Sequence, residues 1–136
     1  MALSTVTPSA STVDRQNRSY QLAMLAARTA ADNNGKDIVV LDLREQTPIF
    51  DYFVIATGTS RRQLHAISDE IESVLLRDLG DRRLGLEGYQ ESHWVILDYG
   101  DVVVHLFDEN ARQFYDLEGL WGGAARVDTS NLLRST

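Results

Sequence analysis

Cysteine is absent from this 136-residue chain, which removes disulfides, thiol nucleophiles and cysteine metal sites together. That absence suits a reducing compartment. No apolar run of about 18 residues occurs, so no spanning helix is expected, and the Met1 end lacks the basic-then-apolar layout of a secretory signal. The expectation is a cytoplasmic protein without a membrane partner, with an organelle left open. Bases are also scarce, 13 Lys and Arg against 20 Asp and Glu, and the shortfall is local. Residues 84–121 hold Glu87, Glu91, Asp98, Asp101, Asp108, Glu109, Asp116 and Glu118 but only one base, Arg112, and so carry the whole net charge of −7. Gripping nucleic acid rests largely on Lys and Arg, so little direct RNA contact is expected of this third. It suits docking on a basic protein. The plainer reading, acids that keep a small domain soluble, stands beside it.

The hydrophobic fraction is 43% and the charged fraction 24%, ordinary for one globular domain with one core. Residues 1–15 are rich in Ser and Thr without a sustained apolar period and read as a disordered tail. A domain over 16–123 and a C-terminal tail over 124–136, with a short edge strand near Val127 as an alternative, complete the division. Leu22, Leu25, Ala26 and Thr29 fall at helical spacing from Gln16 to Asn33. Asn33-Asn34-Gly35 ends that helix, with Gly35 free for the left-handed conformation. Strands are predicted over 37–43 and 51–57, both nearly continuous in apolar residues and so buried on both faces. Ser60-Arg61-Arg62-Gln63 has the form of a capping box and opens a helix whose stripe is Leu64, Ile67, Ile71, Val74 and Leu75. After a connector over 80–90, strands at 91–98 and 102–107 flank the turn Asp98-Tyr99-Gly100-Asp101. Asp108 then caps a last helix to about Leu120, with Ala111, Phe114, Leu117 and Trp121 on one face. The fold expected is α/β: a single domain with a mixed sheet of four to five strands flanked by helices, and a crossover through the second strand, its helix and the third strand.

The search for chemistry yields little. His65, His93 and His105 show no zinc spacing, and His105 reads as a half-buried, hydrogen-bonded imidazole. Ser60 lacks the second glycine of a nucleophile elbow and is explained by capping. Gly58-Thr59-Ser60 before a helix, with Arg61 and Arg62, could turn N–H groups toward an anion. The acids that follow, Asp69, Glu70 and Glu72, lie on a helix, which does not reproduce a strand's alternating carboxylates. Asp98 and Asp101 read as turn formers. No catalytic set, metal or cofactor is expected. The informative stretch is Trp94-Val95-Ile96-Leu97-Asp98-Tyr99-Gly100, where aromatics stand beside acids as in protein-docking patches. Alternation sends Trp94, Ile96 and Asp98 to one side of the strand and Val95, Leu97 and Tyr99 to the other. A tyrosine at a turn tip is expected to be exposed, and Trp94 as a cap on the core is the competing view.

Three motifs in order carry a resemblance: Asp51-Tyr52-Phe53-Val54-Ile55-Ala56-Thr57-Gly58-Thr59-Ser60, then Trp94 through Asp98-Tyr99-Gly100-Asp101 to His105, then Arg112-Gln113-Phe114-Tyr115-Asp116-Leu117-Glu118 with Leu120-Trp121. Over roughly residues 18–122 the chain resembles the Iojap-like ribosomal silencing factors. That resemblance implies a mixed-sheet domain, distantly like a nucleotidyltransferase but without its catalytic acids, and hence no enzyme. It implies binding to ribosomal protein uL14 of the large subunit, blocking of association with the small subunit, and repression of translation when nutrients are scarce. It places the docking surface at Trp94, Asp98 and Tyr99, with Asp101 and His105 nearby, and leaves a homodimer open. A nucleotidyltransferase-like enzyme and a large-subunit assembly factor are the alternatives.

Overall fold

The structure, a computed structural model, describes residues 10–130. In chain order it runs α1 (Ala10–Asp32), β1 (Lys36–Asp42), β2 (Tyr52–Gly58), α2 (Arg61–Leu79), β3 (Gly85–Glu87), β4 (Trp94–Asp98), β5 (Val102–Asp108), α3 (Glu109–Tyr115), α4 (Leu117–Leu120) and β6 (Ala125–Arg126). The strands form one mixed sheet in the order β3-β4-β5-β2-β1-β6. Only β2 and β5, at its centre, pair in parallel; the other neighbours are antiparallel. The expected α/β architecture stands, with six strands rather than four to five.

α1 and α2 cover one face. Ala23, Ala26, Ala27 and Ala30 are fully buried at helical spacing, and such small side chains let α1 settle close to the sheet. α1 begins at Ala10 rather than Gln16, so the part of the expected tail over 10–15 is helical; residues 1–9 lie outside the described residues. The reason is tertiary. Arg15 bonds Asp51 at 2.7 Å and Asp101 at 2.9 Å, and Arg18 bonds Asp81 at 2.7 Å, contacts that no local periodicity carries. At the other end of α1, Asn34 and not Gly35 takes the left-handed conformation, at φ 64. The N–H of Gly35 donates to Ala30 O at 2.8 Å and that of Asn34 to Ala31 O at 3.0 Å, the paired bonds of a Schellman ending. Gly35 is needed for space, since a Cβ would stand 2.8 Å from Ala30 O.

Ser60 caps α2 as its spacing predicts, Oγ accepting from Gln63 N at 3.0 Å. Gln63 reaches one residue beyond the partner a capping box would give it. Its Oε1 accepts from Thr59 N at 2.6 Å, and its Nε2 donates to Asn34 O at 2.8 Å, tying the start of α2 to the end of α1. Ser60→Ala should lower unfolding free energy by about 1 kcal/mol. A change within a few tenths would mean that Gln63 fixes this turn alone.

Three further expectations are corrected. The crossover from β2 does not reach β4 in parallel. β4 runs antiparallel to β5, and the strand that α2 leads into is the edge strand β3, inside the stretch read as a connector. β3 escapes periodicity because it is three residues long. It ends at Gly88, φ 75, where a Cβ would overlap the carbonyl of Trp94. The single last helix is two, because Asp116 takes φ 45 and both ends α3 and caps α4. Ala111 and Leu117 are buried as expected, whereas Phe114 is 80% exposed. Finally, of the two readings of the C-terminal stretch the edge strand holds among the described residues and the tail does not: β6 pairs with β1, and Val127 N donates to Val40 O at 2.8 Å.

Candidate functional site

The second face of the sheet is covered unevenly. Strand alternation places Phe53 and Ile55 of β2, Val103, His105 and Phe107 of β5, and Trp94 and Ile96 of β4 on it. α3 and α4 lie over part of it, with Ala111 and Leu117 in its core. Trp94 and Ile96 remain half-buried. The parallel pair β2–β5 is thus sealed on both sides, and exposure lies on the antiparallel flanks, at Trp94 and Ile96 on one and at Val39 and Arg126 on the other, where a sheet tolerates one open face.

An aromatic band crosses this face. Phe114 meets Tyr115 at 5.0 Å between ring centroids, Tyr115 meets Trp94 at 4.7 Å, and Trp94 stacks on Phe107 at 4.9 Å. His105 lies 4.5 Å from Phe53, which meets Trp121 at 5.8 Å. The band surfaces at Phe114, 80% exposed, and Tyr115, 52% exposed. Exposed Asp98 on β4 and Glu87 on β3 share this face with Ile96. The arrangement is an apolar, aromatic centre with an acidic rim, the make-up of a protein-docking surface.

Of the five residues expected there, the structure gathers three. Trp94, Asp98 and His105 lie on the open face. Asp98 Oδ1 accepts from Gly100 N at 2.8 Å, the bond of an Asx turn, and its side chain remains exposed. The Trp94 indole N–H donates to His105 Nδ1 at 3.0 Å. Because indole only donates, that nitrogen must be the acceptor, which fixes a neutral imidazole with its proton on Nε2. His105 is 5% exposed, and burial pulls its pKa down to about 3. Its Nε2–H is buried without a partner, a cost of about 1–3 kcal/mol.

Tyr99 and Asp101 lie elsewhere. Tyr99 packs against the core under α1 and α2 rather than at an exposed tip. Its hydroxyl is buried without a partner, and desolvation pushes its pKa up to about 12. Asp101 pairs with Arg15 of α1. Sequence reasoning also missed Phe114 and Tyr115 as surface groups. The available signal was Asp116 after two aromatics, since Asp enters the left-handed region more readily than most residues.

One serine–histidine pair among the described residues invites comparison with a catalytic pair. Ser92 Oγ lies 2.8 Å from His65 Nε2, but both also reach Tyr89 O, at 2.7 Å each. With both groups donating to that carbonyl, the pair clamps the turn before β4, and the imidazole is not a base for the hydroxyl. No group of three His, Asp or Glu suited to a metal occurs among the described residues, and no described helix is long and apolar enough to cross a membrane. A groove of about 470 Å³ between the start of β1, the end of β2 and α3 is lined by Asp37, Thr57, Glu109 and Arg112 among others. Arg112 is already committed there to Glu118, Asp37 O and Thr57.

Comparison with known proteins identifies a family. The family described as "ribosomal silencing factor during starvation" matches residues 16–136, which include those read as a C-terminal tail. The ribosomal silencing factor of Chromobacterium violaceum is 40% identical over 103 residues, 76% of this chain and 84% of that protein. The one from Halalkalibacterium halodurans is 36% identical over 113 residues, 83% of this chain and 96% of the relative. A crystal structure of a Chromobacterium violaceum protein superposes with a TM-score of 0.68 at 39% identity, covering 78% of this chain and 85% of the other. With the family matched across the whole sheet and both helical layers, this chain belongs to the ribosomal silencing factors.

Proposed function

We propose that the open face of the sheet docks on ribosomal protein uL14 of the large subunit, and that the bound protein excludes the small subunit by occupying its place. The observation that carries the reading is the exposed end of the aromatic band, Phe114 and Tyr115 over Trp94, on a face whose rim is acidic. Aromatic side chains make strong anchors when desolvated, and carboxylates around them complement a basic ribosomal protein while repelling RNA phosphates. Steric exclusion needs no catalytic group. It needs affinity and an overlapping position.

The test is sedimentation of purified subunits with and without the protein, following its co-migration with the large subunit and the yield of joined particles. Co-migration with fewer joined particles is expected. Phe114 is exposed and packs edge-on against Tyr115, so Phe114→Ala should change stability little and weaken binding by about 2 kcal/mol, roughly 30-fold. Wild-type affinity in folded Phe114→Ala would move the surface elsewhere. Joining that proceeds undisturbed with the protein bound would favour the assembly-factor alternative.

A further inference from the structure

A buried histidine with one unsatisfied N–H is an odd choice where leucine or phenylalanine would pack without loss. Its neighbours narrow what it does there. His105 sits on the central strand β5 between Phe53, at 4.5 Å, and Phe107, at 6.4 Å between centroids. At 5% exposure it is too deep to touch a docked partner. Among the described residues, the one hydrogen bond of its side chain is that accepted from Trp94. Trp94 stands on β4, half-exposed, where a strand side chain has two common χ1 rotamers. Without an acceptor inside the protein, its indole N–H would be satisfied only by turning toward water.

We infer that His105 is a positioning residue for docking: its Nδ1 accepts the Trp94 indole N–H and holds that ring against Phe107 and Tyr115, in the shape that a partner meets. The inference rests on the docking role proposed above. It assigns His105 an action through Trp94 and not at the interface. Asparagine at this position places its Oδ1 near the imidazole Nδ1 and keeps an acceptor, whereas phenylalanine keeps the ring and removes it.

The experiment measures large-subunit affinity and the indole N–H resonances of full-length protein for His105→Asn, His105→Phe, Trp94→Phe, His105→Phe with Trp94→Phe, and Phe114→Ala. Trp94→Phe assigns the indole signal. His105→Phe should shift that signal toward the value of an unbonded indole and weaken binding about tenfold. His105→Asn should restore the signal and most of the affinity, which a general packing defect would not do. In the Trp94→Phe background, His105→Phe should add nothing further. Wild-type affinity in folded His105→Phe, or an equal loss with and without Trp94, overturns the positioning role. If Phe114→Ala binds normally as well, the docking face itself is misplaced and the inference falls with it; if Phe114→Ala loses binding while His105→Phe does not, only the positioning role falls.

Discussion

Arg112→Ala should destabilise the protein by about 2–3 kcal/mol, the scale of lost hydrogen bonds to charged groups, because its ion pair is partly rather than fully buried. The Arg112 side chain is 12% exposed and that of Glu118 19%. The guanidinium grips Glu118 in the two-pronged manner, Nε to Oε1 at 2.9 Å and Nη2 to Oε2 at 3.0 Å. Its third nitrogen donates to Asp37 O at 2.6 Å and Thr57 Oγ1 at 2.8 Å. One side chain therefore ties α3 to α4, to the start of β1 and to the end of β2. Alanine would leave a carboxylate, a carbonyl and a hydroxyl without their donor. Arg126 offers a poor substitute, 3.5 Å from Glu118 and itself 62% exposed. Bonding to Arg112 is also the main cause holding Glu118 below the usual carboxylate range. Urea unfolding provides the measurement: the midpoint should fall with the slope unchanged. Arg112→Lys should recover only part of the loss, because an ammonium cannot reproduce the planar fork. A change under about 1 kcal/mol would mean that water replaces these bonds at low cost.

The second large effect comes from pH. His105 has a native pKa of about 3, against about 6.5 for an unperturbed imidazole. Between those values the unfolded chain holds a proton that the native protein refuses, so stability rises with pH. The contribution is complete above about 6.5 and is lost as pH falls toward 3. From pH 7.5 to 5.0 this amounts to about 2 kcal/mol. The carboxylates whose native pKa values are also lowered, Asp42, Asp108, Glu118 and Asp128, begin from reference values near 4 and act below this window. Unfolding free energies of the wild type and of His105→Asn at pH 7.5 and 5.0 isolate the effect. The wild type should lose about 2 kcal/mol more than the variant over that interval. Parallel losses would show that His105 takes up its proton in the native state without penalty.

The parts legible in sequence were those fixed by local chemistry. Of the two apolar runs read as buried on both faces, β2 is buried throughout, whereas β1 is exposed at Lys36 and Asp37 and buried only at Val40 and Leu41; the Ser60 cap and apolar stripe of α2 fell where spacing put them. The parts missed depend on distant partners. The first turns of α1 are held by Asp51, Asp81 and Asp101, and β3 is too short to show a period. The hairpin shows both outcomes. Alternation alone separated Tyr99 from Trp94, correctly; it was the family motif and the idea of an exposed turn tip that brought them back to one surface. The break between α3 and α4 turns on a single left-handed Asp116, and with it Phe114 moves from an expected core position to the outside.

A sheet with apolar residues on both faces calls for a layer on each. α1 and α2 provide a full one. α3 and α4 provide a fraction of the other, which meets β4 through Tyr115 against Trp94. Trp94 and Ile96 are therefore core residues in composition that remain half-buried. On the docking role proposed above, a partner settling over β4 would complete the architecture as a third layer, and the free protein is in that sense an unfinished sandwich.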